Sequence, residues 1–113
     1  MTGAQVRRLA LALPQGTEQD HHGNPSFRVR GRIFATLPDE AHLHVMVGEH
    51  EIRAAAAADP SAYEQVWWGK RLAALRVDLA VAEADAVREP LAEAWRRKAP
   101  PALVRAHDDS ATN

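Results

Sequence analysis

The chemically capable side chains of this 113-residue chain are mostly basic or aromatic, and many of them fall in two acid-free segments. Residues 26–38 carry Arg28, Arg30 and Arg32, and residues 69–77 carry Lys70, Arg71 and Arg76. Phe34 follows the first set, and Trp67 and Trp68 precede the second. Guanidinium forks beside an aromatic face are the groups that phosphate contact and base stacking require. Arg28, Arg30, Arg32, Phe34, Lys70, Arg71 and Arg76 are therefore the expected nucleic-acid-binding residues. One of Trp67 and Trp68, which a strand points to opposite faces, adds a stacking surface while the other goes to the core. The simpler reading of the same pattern is a solvated arginine face. With 14 Lys and Arg against 15 Asp and Glu the net charge is −1, so binding to DNA is expected to be weak and strongly salt-dependent.

Other chemistry finds little support. His42 and His44 share one strand face and His50 follows, a fragment of a three-nitrogen metal site that lacks an acid or further partner fixed by spacing. Asp20, His21 and His22 read as a polar loop, although paired histidines beside a carboxylate suit acid–base work. The chain has no cysteine, which removes disulfides, thiolate nucleophiles and cysteine metal sites. Its serines sit in no nucleophile-elbow setting, and no glycine-rich phosphate loop is present. No catalytic residue, metal or cofactor is expected, and the chain reads as a non-enzyme.

These residues need strands to present them. Phe27, Val29, Ile33, Ala35 and Leu37 alternate with the three arginines, the period-2 pattern of a half-buried hairpin around Gly31. Its register decides whether the arginines form a patch. A two-residue turn at Arg30-Gly31 sets Val29 opposite Arg32 and mixes the faces. A three-residue turn over Val29-Arg30-Gly31 opposes Arg28 with Arg32 and Phe27 with Ile33, and this is the expected register.

A helix over 3–13 (Val6, Leu9, Ala10, Leu13) precedes the hairpin, stopped by Pro14 and Gly16, and Gln15 to Pro25 reads as a loop. Leu43, Val45 and Val47 mark a third strand, and the alanine run from Glu49 to Ala58 a helix that Asp59-Pro60 ends. Tyr63 to Trp68 and Leu72 to Leu79 form two more strands. A last helix over Glu83 to Lys98 buries Val87, Leu91, Ala94 and Trp95, with a kink or restart at Pro90. Ala102 to His107 adds a short turn, and 108–113 a frayed tail. The expected fold class is α+β: a two-layer α-β-β-β-α-β-β-α arrangement, antiparallel-rich, with helices on one face. Length suits one domain over 1–113, with an ordered core at roughly 3–107. No membrane-spanning segment is read, and a cytoplasmic location fits the absence of cysteine.

Leu9-Ala-Leu-Ala-Leu-Pro14, Phe27-Arg-Val-Arg-Gly-Arg-Ile-Phe-Ala35 and Leu91-Ala-Glu-Ala-Trp-Arg-Arg-Lys-Ala-Pro100 together resemble MmcQ/YjbR-like proteins. The resemblance covers roughly residues 5–107 and departs from the family pattern at Met46, where lysine is common, and at Pro90. It implies a secretion-chaperone-like, "double wing" two-layer domain with an inferred DNA-binding role, and no catalytic motif. The alternative it leaves open is a protein-interaction module, with a protein partner or a homodimer in place of nucleic acid.

Overall fold

The computed structural model describes residues 1–111. Helix α1 (Gly3–Leu11) is capped by Thr2, whose Oγ1 accepts from the Gln5 amide at 3.2 Å while Gln5 Oε1 accepts from the Thr2 amide at 2.8 Å. Strands β1 (Gly16–His21), β2 (Asn24–Val29), β3 (Arg32–Thr36) and β4 (His42–Val45) follow, then α2 (Glu49–Ala58). Strands β5 (Tyr63–Trp68) and β6 (Arg71–Asp78) lead to α3 (Ala84–Lys98) and α4 (Pro101–Ala111). The six strands form one antiparallel sheet in the order β1-β2-β3-β4-β6-β5.

One cluster of buried side chains joins the layers. Phe27, Val29, Leu43, Val45, Leu75 and Val77 face Val6 of α1, Ile52 of α2, and Val87, Leu91 and Trp95 of α3. Burying side chains of this size contributes about 1.5–3 kcal/mol each, the main drive for the two-layer packing. Trp95 is fully buried and donates its indole N–H to the Pro14 carbonyl at 2.9 Å, so the aromatic body is dry and its polar atom satisfied.

The α+β class and antiparallel sheet agree with expectation, and four details differ. The segment read as a loop from Gln15 to Pro25 contains β1, paired Gly16↔Val29 through His21↔Asn24. All but its first residue are exposed, so the strand has no apolar alternation by which to be recognised. The β2–β3 turn has two residues: Val29 lies opposite Arg32 and Arg28 opposite Ile33. Arg30 and Gly31 both take positive φ, 52° and 78°, the type I′ geometry that matches strand twist. A bulge then shifts the register so that Phe27 faces Ala35, which lets both Phe34 and Ala35 enter the core despite being adjacent. The short turn is thus compatible with a buried face because the bulge restores the alternation.

Helix α3 runs unbroken across Pro90, and α4 replaces the expected turn and tail, helical to Ala111. Trp95 and His107 meet edge-on at 5.1 Å, and Arg96 pairs with Asp108 at 2.5 Å, which tie α4 to α3. Thr112 and Asn113, the end of the expected tail, lie outside the described residues.

Candidate functional site

Strand β4 is antiparallel to both β3 and β6, so the β2–β3 and β5–β6 turns point to the same end of the sheet. There β4 stops at Val45 and the chain leaves through Met46 into α2, opening a gap between two projecting hairpins. On the helix-free face a trough of about 650 Å³ runs from this end along β2 and β3 toward the β1–β2 turn. Arg28, Arg71 and Lys98 line it with Ile33, Met46 and Trp68, His21 and His22 stand at its β1–β2 end, and no Asp or Glu is among its lining residues.

Each cation is held differently. Arg28 donates from Nε to Ser26 Oγ at 3.1 Å, and the buried Ser26 hydroxyl donates to the Gln19 carbonyl at 2.8 Å. That chain fixes the Arg28 stem and leaves its terminal nitrogens available. The Arg71 guanidinium carbon lies 5.7 Å from the Trp68 ring centroid, within cation–π range. Trp68 is 53% exposed. Burial, then the charges of Arg32, Arg97 and Arg71, lower the Lys98 pKa, a sign that positive charge is crowded here. An anion in the trough relieves that crowding.

The remaining expected site residues are dispersed. Arg30 sits in the type I′ turn and donates to Gln15 Oε1, and Lys70 occupies the β5–β6 turn, where Gly69 has φ 63°. Arg32, opposite Val29, turns to the helix side and donates to the Lys98 carbonyl at 3.3 Å, at the negative end of α3. Arg28 and Arg32 therefore do not project together. Arg76 is engaged within the sheet: Nη1 donates to Glu64 Oε1 at 3.2 Å and Nε to His44 Nε2 at 3.1 Å. Accepting there requires neutral His44, whose pKa is lowered by burial and then by Arg76. Phe34 is fully buried, so it packs the core and cannot stack on a base. Neither Trp67 nor Trp68 is core. Trp67, 47% exposed, lies on the helix side with Arg53 of α2 at 5.8 Å.

The histidines part company. His42 pairs with Asp39 at 3.0 Å, His44 with Arg76, and His50 is on α2. Among the described residues no group of three His, Asp or Glu side chains is arranged to hold a metal. Likewise no helix among them is long and apolar enough to cross a membrane. Lys98, Met46, Ile33 and His21-His22 line the trough but lie outside the expected binding set. Lys98 comes from the far end of the chain, and the histidines sit in a segment without strand periodicity.

The architecture is that of a two-layer α+β domain with an open, cationic sheet end between two hairpin wings. The YjbR family model matches residues 11–97, and the chain belongs to the YjbR family. Among solved structures, it is similar to Deinococcus radiodurans protein DR2400, which carries a DUF419 domain, at 18% identity and a TM-score of 0.68 over 80% of this chain and 72% of that one. At that identity the likeness shows a shared fold. No curated protein matches the sequence.

Proposed function

We propose that this protein binds nucleic acid through the trough and carries out no reaction. The observation that carries the reading is an acid-free concavity that combines three cations with an exposed indole. Arg28, Arg71 and Lys98 contact phosphates, Arg30 and Lys70 extend that contact at the wing tips, and Trp68 stacks on a base. Arg32 and Arg76 serve the fold, and Phe34 serves the core. The apolar floor of Ile33 and Met46 leaves the sugar or base edge in contact with hydrophobic surface. A cavity of this volume falls in the range of ligand-sized pockets, roughly 300–1,000 Å³.

The test is fluorescence anisotropy of a labelled single-stranded and a duplex oligonucleotide at low salt, comparing wild type with the Arg28→Ala/Arg71→Ala double variant. Micromolar binding that weakens at least about tenfold in the variant is expected, two charged contacts having been removed. No binding at low salt, or equal binding by the variant, overturns the reading.

A further inference from the structure

Strand β5 ends the sheet, and its outer backbone is open. Asp78 donates its amide to the Ala62 carbonyl at 2.8 Å, so Ala62 bonds inward to β6. By the antiparallel alternation Glu64, Val66 and Trp68 also bond inward, and Gln65 and Trp67 turn both N–H and C=O away from the sheet. Among the described residues, no backbone hydrogen bond outside the β5–β6 ladder uses residues 64–68. We propose that this edge pairs antiparallel with the same edge of a second copy, about a two-fold axis at Val66.

The register is self-complementary. With Val66 facing its counterpart, Gln65 meets Trp67 of the other copy twice, which closes two reciprocal pairs of N–H···O bonds. An axis normal to the sheet keeps like face on like face, as a two-fold interface requires. Centring the axis on Gln65 instead opposes Trp67 with Tyr63, whose amide is already used at 3.0 Å by the Asp59 carbonyl. Only the Val66 register pairs both the N–H and the C=O of Gln65 and Trp67.

The two sheet edges are protected unequally. Strand β1 carries Glu18 and Asp20, with Glu18 paired to Arg7 at 2.5 Å, the charged blocking that discourages edge pairing. Strand β5 carries only Glu64, which Arg76 holds at 3.2 Å. Trp67 is 47% exposed on the helix side and leaves about half of a tryptophan's 150–250 Å² uncovered, while Trp68 faces the trough. A standard interface buries about 800 Å² per partner, so the strand and the exposed alanines Ala54, Ala57 and Ala58 of α2 must supply the remainder. That balance fits a weak dimer, with a dissociation constant on the order of tens of micromolar. The pairing makes a continuous sheet with both troughs on one face, which doubles the cations available to one strand of nucleic acid. It depends on the β5 backbone and not on the trough, so the two readings fail separately.

Sedimentation equilibrium from about 5 to about 500 µM decides it, a span bracketing the expected constant. The wild-type mass rises from 12.4 kDa toward twice that value with concentration. Gln65→Pro removes an outward N–H and leaves the inner ladder intact, the one strand setting in which proline is tolerated. It stays monomeric throughout, as does Trp67→Lys, which charges the edge, both with wild-type circular dichroism. If Gln65→Pro unfolds, Trp67→Lys alone gives the answer. A wild type that stays at 12.4 kDa, or a folded variant that dimerises as wild type does, overturns the proposal. Arg28→Ala/Arg71→Ala dimerises normally, whatever its affinity for nucleic acid.

Discussion

Salt dependence separates a phosphate-contacting trough from a merely sticky one, and its size follows from the cations present. Arg28, Arg71 and Lys98 line the trough, and Arg30 and Lys70 sit in the turns that flank it. If each neutralises one phosphate of a single strand, the slope of log K against log salt is about −0.7 per contact, or about −3.5 in all. Raising salt fourfold, from about 50 to about 200 mM, then weakens binding roughly 130-fold. The Arg28→Ala/Arg71→Ala variant keeps three of these cations, so its slope flattens to about −2.1 and the same change costs roughly 18-fold. Anisotropy titrations at four salt concentrations give both slopes. Measurable affinity with a slope near zero refutes phosphate contact, and an unchanged slope in the variant places the contacts elsewhere on the molecule.

Three further outcomes test the surrounding assignments. Phe34→Ala, emptying a fully buried site, destabilises the fold by about 3–5 kcal/mol, a large share of a typical 5–15 kcal/mol, as urea unfolding will read; a stable variant impaired only in binding contradicts the core assignment. Arg30→Asn places a residue suited to positive φ at the first turn position, raising stability by about 0.5–1 kcal/mol while weakening oligonucleotide binding; a destabilised variant counts against the turn geometry. His44 has a folded pKa below its ordinary 6.5, because burial and Arg76 disfavour the imidazolium, so below that pH the unfolded chain takes up the proton more readily. Its contribution is complete above pH 6.5 and is lost as pH falls through the lower folded value. Melting temperature therefore drops more between about pH 7.5 and pH 5.5 in wild type than in His44→Gln, whose amide oxygen still accepts from Arg76. Equal drops refute it.

How far the sequence can be read depends on which physical constraint acts at each element. Periodicity locates α1, β2, β3, β4, β6 and α3, because each buries an apolar stripe or face against the core, and the alanine run marks α2. It does not reveal β1, whose side chains stay exposed, or α4, which starts at Pro101 and is held by contacts to Trp95 and Arg96 outside its own segment. Turn length alone does not set the hairpin's faces, because a bulge next to Phe27 shifts the register behind a two-residue turn. From this one shift follow the separation of Arg28 from Arg32 and the burial of Phe34. At the site, Arg28 and Arg71 were legible as strand cations. Lys98 was not, since it is brought to the trough only by the docking of α3.

Chemical-shift mapping reads residue by residue whether the helix-free trough is the binding surface. With a short single-stranded oligonucleotide added to labelled protein at low salt, perturbations should concentrate at Arg28, Ile33, Met46, Arg71 and the Trp68 indole. Binding accompanied by shifts confined to the helical face, with those trough signals unmoved, contradicts the trough assignment.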